Sequence, residues 1–306
     1  MDPRRIVNYA FVASIILMFV VAVYVNNPEA FSPKALAEAF YDNKTAFVQA
    51  FLEVVNEDRA KHGLPPLAYA DDSSFAQWRA QYMLEHGKAS HFDEEGREPS
   101  YWYSKLGGVY SFTEGVLKMS GTRINARTGR EAAETFKTSP LHWGLVLDPC
   151  ATHIQIGVVR TDFPPSHIYV AMVVETRRVR WIESPRYKNG VFRAVGVAVN
   201  ATEFYSASII MHKRMEPFSD AMAVFWDSYG CVTEKGIVIA RFERCGSSKL
   251  EDGEVYAFKV AKTEEGVYFE IEFSFIPPSK SFNYVLVVAT KFGDRVCPIL
   301  DYYLGD

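Results

Sequence analysis

His91, Glu114 and His142 are the side chains in this sequence whose types best suit chemistry, and Ser139 stands three residues before the second histidine. Two neutral imidazoles and a carboxylate, with a fourth position open, form a donor set for zinc, because imidazole nitrogen and carboxylate oxygen suit a borderline cation. A cation held there would polarise a carbonyl or activate a water. Ser139 and His142 offer a second chemistry, a hydroxyl near a base, although no G-x-S-x-G elbow surrounds the serine. Spacing alone selects neither arrangement. There is no HExxH, and a trio of this kind is most often solvated surface or a hydrogen-bonded cluster that holds a loop in place.

The elements around these residues show how they would be positioned. A helix carrying Phe47, Phe51, Leu52 and Val55 on one face stops at Gly63, before Pro65 and Pro66. A further helix opens near Asp71-Asp72-Ser73, carries Phe75, Trp78 and Tyr82 at spacings of three and four, and ends near Gly87, so His91 follows it. Glu114 falls between Gly87 and Thr128, a stretch too long for an ordinary connector and expected to be a functional loop region. Its Tyr101, Trp102, Tyr103, Tyr110 and Phe112 are core by default, or else an apolar wall for a ligand. Thr128 and Glu131 read as a T-x-x-E capping box, followed by apolar Ala132, Ala133 and Phe136 and by Pro140, which places His142 just past the helix. From Ala151 the period changes to that of strands, at 154–159 and 167–174, joined by a Pro164-Pro165 turn.

Taken in order, these segments resemble the CAP superfamily of cysteine-rich secretory proteins, antigen 5 and pathogenesis-related class 1 proteins, in its bacterial-type branch, over residues 47–175. Val55-Asn56-Glu57-Asp58-Arg59 and His62-Gly63-Leu64-Pro65-Pro66-Leu67 are similar to the opening "N-x-x-R…G-L-x-P-L" of the family. Ser90-His91-Phe92-Asp93-Glu94-Glu95-Gly96 is similar to its "S-H-x-D-x-x-G", and Phe136 to His142 to its "W-x-x-S-P-x-H". Ile156-Gly157-Val158 resembles the "G-V-G" strand. The resemblance implies a cleft lined by His91, Glu114 and His142, with Ser139 beside it, and possible zinc binding by the first three. It also implies a role in binding a lipid or other ligand more than an agreed catalytic activity. Two departures stand out. The "G-E-N" of the family is here Thr113-Glu114-Gly115, and Ser139 occupies the place of a second glutamate, which weakens any mechanism that needs two carboxylates. Asn56 and Arg59 are expected to fix the helix to the long loop rather than to meet a ligand.

The rest of the chain sets the context. Its 306 residues exceed one ordinary domain, the hydrophobic fraction of 48% argues for globular units, and a net charge of -4 offers no field for nucleic acid. Residues 6–25 are almost wholly apolar and, at about 1.5 Å per residue, would span a bilayer. Arg4 and Arg5 precede this run, so the sequence predicts a single-pass anchor with residues 1–5 cytoplasmic and the remainder outside; a secreted chain with a cleaved signal is the alternative. Residues 26–46 then form a stalk with a short helix from Ser32-Pro33 to about Tyr41. Beyond the first unit, 47–180, short alternating segments over 188–306 predict an antiparallel, immunoglobulin-like sandwich, with a break at Glu183-Ser184-Pro185. The expected fold class is thus α+β: an α-β-α sandwich, then an all-β sandwich, behind a transmembrane helix. Cys150, Cys231, Cys245 and Cys297 show no CxxC pairing; an outside location permits disulfides, with Cys231 to Cys245 one plausible bridge and the pairing open. The sequence thus suggests a surface protein whose partner is a lipid, small ligand or another surface protein, with a zinc-dependent hydrolase and a purely structural envelope role as alternatives.

Overall fold

The computed structural model describes residues 41–71, 74–162, 164–218, 228–229, 231–233, 236–238, 255–277 and 279–305, with Met18 and Val25. Apart from those two residues the apolar segment 6–25 lies outside the described residues, as does the stalk helix ahead of Tyr41. Among the described residues no helix is long and apolar enough to cross a membrane.

The first unit is built on a sheet with the strand order β1-β3-β4-β2, from β1 (Ala68–Tyr69), β2 (Ser111–Ser120), β3 (His153–Arg160) and β4 (His167–Thr176). Strand β4 is apolar along nearly its whole length because both of its faces are covered. Ile168, Val170, Met172 and Val174 meet α1 (Lys44–Lys61), α4 (Ala126–Lys137) and α5 (Pro140–Val146), through Phe51, Phe136 and Trp143. Tyr169, Ala171 and Val173 meet α2 (Phe75–His86) on the other face, with Tyr103 of α3 (Pro99–Lys105). The expected long loop thus contains a helix and a strand, and Glu114 sits on β2 rather than in a loop.

Two local expectations change. Helix α4 starts at Asn125, whose side chain accepts the Thr128 N–H while the Thr128 hydroxyl accepts the Asn125 N–H, so the capping box lies three residues earlier than Thr128 with Glu131. Asn56 and Arg59 do brace α1, but against segments other than the long connector. Asn56 holds both backbone groups of Leu67, and the fully buried Arg59 donates to the carbonyls of Pro65, Val146, Asp148 and Ala151.

The second unit follows after two residues. Strands β5 (Val179–Lys188), β6 (Val191–Val199), β11 (Val255–Thr263) and β12 (Gly266–Ser274) form one antiparallel sheet in the order β11-β12-β6-β5. Strands β7 (Glu203–Lys213), β8 (Ser228–Tyr229), β13 (Phe282–Phe292) and β14 (Arg295–Tyr303) form the other, in the order β14-β13-β7-β8. Short β9 (Cys231–Thr233) and β10 (Gly236–Val238) pair with each other. The two sheets share a core of Phe192, Phe269, Phe273, Leu286 and Val288. Glu183, Ser184 and Pro185, where the sequence suggests a boundary, lie inside β5 and mark shifts in its register with β6.

The two units are fastened together by β14. Cys297 pairs with Cys150 of the first unit. Cys245 and the Cys231 side chain, considered as a bridge from the sequence, lie outside what is described. Asp301 Oδ2 accepts from the Ser111 hydroxyl at 2.7 Å and the Phe112 N–H at 3.1 Å, and the Tyr303 N–H donates to Ser104 Oγ at 3.0 Å. Burial pushes the Asp301 carboxyl up to about 6, against the two hydrogen bonds that favour its charge. A carboxyl raised in the folded state binds more protons there than in the unfolded chain, so its contribution is fully present below its ordinary 3.8 and is lost as pH rises through about 6. Asn at 301 still accepts both bonds and does not titrate. Urea unfolding across this range should therefore show a decline in stability with rising pH for the native chain that is absent in Asp301→Asn.

Candidate functional site

Helix α2 turns one face inward, with Phe75, Ala76, Ala80 and Met83, and in the middle of that face it places Arg79, only 1% exposed. A buried guanidinium must be paired or the helix cannot dock. Arg79 Nε donates to Glu114 Oε2 at 2.8 Å, and its Nη2 donates to the Ser90 carbonyl. The other carboxylate oxygen, Glu114 Oε1, lies 3.0 Å from His91 Nδ1. One continuous chain of charge-assisted bonds thus ties α2, β2 and the loop after α2 together.

The electrostatics follow from this chain. Burial pushes the Glu114 carboxyl up, but the Arg79 guanidinium and His91 outweigh burial and hold it below the ordinary carboxylate range. An ionised carboxylate only accepts, so Nδ1 of His91 carries the proton and Nε2 is the nitrogen left for another partner. His142 stands in the first turn of α5, its ring centroid 6.1 Å from that of His91 and edge-on to Phe136 at 5.6 Å. Burial, then repulsion from His91, lowers the His142 pKa and favours its neutral form. Both imidazoles remain partly exposed.

Residues 52–173 match the family model described as CAP, cysteine-rich secretory protein family. This stretch belongs to that family. Two solved structures are similar to the chain. One is an outer surface protein from Borrelia burgdorferi, 17% identical over 44% of this chain and 96% of that one, with a TM-score of 0.35. The other is an extracellular protein containing a SCP domain from Bacillus anthracis str. Ames, 15% identical over 44% of this chain and 41% of that one, with a TM-score of 0.36. No curated protein matches the chain.

Inside the CAP domain the departures noted in the sequence acquire physical reasons. A Cβ on Gly115 would crowd Met172 at 3.0 Å and Phe136 at 3.1 Å while standing in ordinary contact with His142 at 3.5 Å, so the missing side chain leaves room for Met172 and Phe136 beside His142. Support for Glu114, which the family pattern would draw from the neighbouring asparagine, comes here from Arg79. Sequence reasoning missed Arg79. Its signal was an arginine flanked on one helical face by Phe75, Ala76, Ala80 and Met83. A second missed group is Asp58, which accepts from Trp143 Nε1 at 2.8 Å and Lys137 at 2.9 Å. The bond from Lys137, then that from Trp143, holds its carboxyl far below the ordinary range, and through Trp143 it fixes the helix that presents His142.

The ligand set His91, Glu114 and His142 is not assembled as a three-donor site, because both oxygens of Glu114 are taken. Among the described residues no group of three or more His, Cys, Asp or Glu is arranged to hold a metal ion. Ser139 starts α5 through its backbone, its carbonyl accepting the Trp143 N–H at 2.9 Å, and its hydroxyl makes no hydrogen bond to His142. The aromatic residues of the stretch between Gly87 and Thr128 serve packing, the default reading of the sequence, rather than the alternative of a ligand wall. Tyr103 is core, Trp102 Nε1 donates to Asp93, and Tyr101 meets Tyr303 of the second unit.

Replacing Arg79 by Leu leaves a buried carboxylate without its counter-charge and should cost about 3–5 kcal/mol. Because its pKa is lowered, Glu114 contributes stability above its ordinary 4.5 that is lost as pH falls, and without Arg79 burial reverses that sign. Equilibrium unfolding of Arg79→Leu, and of the double variant with Glu114→Gln, checks this; the second change should recover part of the loss at neutral pH.

Proposed function

We propose that the chain is a cell-surface binding protein whose CAP domain holds a lipid, small ligand or protein partner against the imidazoles of His91 and His142, tethered to a membrane by segment 6–25. The observation that carries this reading is the commitment of both Glu114 oxygens, one to buried Arg79 and the other to partly exposed His91. A general base needs a free acceptor whose pKa lies near the working pH, and a carboxylate held low by Arg79 is a poor one. With Ser139 unbonded to His142, the described residues place no activated nucleophile beside the two histidines either. What the cleft presents is Nε2 of His91 and a partly buried His142 ring, held toward its neutral form, beside Phe136. This combination suits an apolar ligand with a single hydroxyl, such as a sterol. The Cys150 to Cys297 disulfide supports an oxidising, extracellular setting.

The bond between Glu114 and His91 favours a second reading. A carboxylate bonded to Nδ1 is the usual orienting partner of a metal-ligating histidine, so zinc could be held by His91 and His142 with Glu114 behind His91, and would then supply a Lewis acid for hydrolysis.

Binding of a fluorescent sterol to the full chain in detergent tests the proposal. His91→Ala and His142→Ala should each weaken binding by about 3- to 10-fold, the loss of one hydrogen bond or ring contact. Unchanged affinity in the double variant contradicts it, and ester or peptide hydrolysis that requires added zinc and both histidines favours the second reading.

A further inference from the structure

The loop carrying His91 is held from two sides. On its inner side, Asp93 is fully buried and closes the loop upon itself: Oδ1 accepts the N–H groups of Glu95 and Arg97, and Oδ2 accepts from Arg97 Nε at 2.7 Å and Trp102 Nε1 at 2.8 Å. The outer side is held by the second unit. The Met215 N–H donates to the Gly96 carbonyl at 3.2 Å, and the Phe218 N–H donates to the Asp93 carbonyl at 3.1 Å. These bonds come from the segment that leaves β7, which is itself tied back by the Arg214 N–H to the Ser281 carbonyl and by the Arg214 side chain to Tyr303.

The contact admits little else. Gly96 has φ +71, and a Cβ there would overlap the Met215 carbonyl, so the second unit's backbone seats directly on the loop. Phe218 carries the strain of a positive φ of 52 and lays its ring 5.2 Å from His86 and 6.5 Å from Tyr82, with Lys88 Nζ 5.5 Å above it. Those residues line the end of α2 and the start of the loop, and the Tyr82 hydroxyl in turn accepts the Glu94 N–H. His91 lies two residues from Asp93 and next to Ser90, whose carbonyl receives Arg79.

We infer that segment 214–218 of the second unit is a positioning clamp for His91, so that the β-sandwich is a structural part of the CAP cleft rather than a spacer. The clamp itself rests on geometry; its effect on affinity rests on the cleft being the binding site. The inner bonds fix the shape of the loop, and the outer bonds fix where that shape sits relative to Glu114 and His142. Phe218 and Gly96 act through the loop and the end of α2, not on a ligand directly.

The test uses the full chain in detergent with the disulfide intact. Gly96→Ala removes the seat, Phe218→Ala removes the ring, and Phe218→Tyr keeps it; where Gly96→Ala does not fold, the Phe218 pair carries the test. The measurements are amide hydrogen exchange over residues 90–97, the ring resonances of His91, and affinity for the fluorescent sterol. Phe218→Ala should raise exchange in the loop by about tenfold or more, shift the His91 resonances and weaken the sterol by about tenfold, with Phe218→Tyr restoring all three. Loop exchange and His91 resonances that match the native chain in the folded variants overturn the clamp. If they change as expected while the native chain itself binds no sterol, the clamp stands and the sterol reading falls.

Discussion

A single buried charge governs the surroundings of His91. The guanidinium of Arg79 lies on the packed face of α2, where an unpaired cation would cost several kcal/mol. It is tolerated because Glu114 of β2 meets one nitrogen and the Ser90 carbonyl another. The bonds that satisfy it also decide the state of the cleft, since they keep Glu114 ionised, and an ionised Glu114 fixes which nitrogen of His91 bears the proton. The positions of α2, β2 and the loop at 90–97 are therefore coupled, and moving any one of them leaves a buried charge without its partner.

The second unit extends this coupling. Strand β14 reaches the CAP domain through the disulfide, through Asp301 on the first residues of β2, and through Tyr303 on α3. The segment after β7 reaches the loop that bears His91. Strand β2 thus carries Glu114 near its middle and the second unit's carboxylate at its start, and the two-residue link between β4 and β5 leaves little freedom between the units. The chain reads as one two-part body in which the sandwich contacts β2, α3 and the loop that bears His91.

Much of this was legible in the sequence, for identifiable reasons. His91, Glu114 and His142 were singled out through motif resemblance, because short stretches such as Ser90-His91-Phe92-Asp93 are local. The apolar runs of β3, β4 and β6 announced themselves by period, being buried on one face or both. Arg79 escaped because its meaning depends on Glu114, 35 residues away, although Phe75, Ala76, Ala80 and Met83 on the same helical face marked it as inward. Strand β14 escaped because Pro298 argues against a strand; it is tolerated at the edge of its sheet, beside a shift in register against β13. The helix α3 and strand β2 were hidden by glycines and mixed polarity in a stretch whose pattern is set by contacts on both sides.

The central claim is that Arg79, through Glu114, orients His91, and the most direct measurement is the tautomer of His91, read from the nitrogen-15 shifts and long-range couplings of its ring near neutral pH. The account predicts that neutral His91 carries its proton on Nδ1, with Nε2 bare, and that Glu114→Gln, whose amide can donate, disturbs this preference. A native His91 protonated on Nε2, or one whose two tautomers exchange freely, would contradict it.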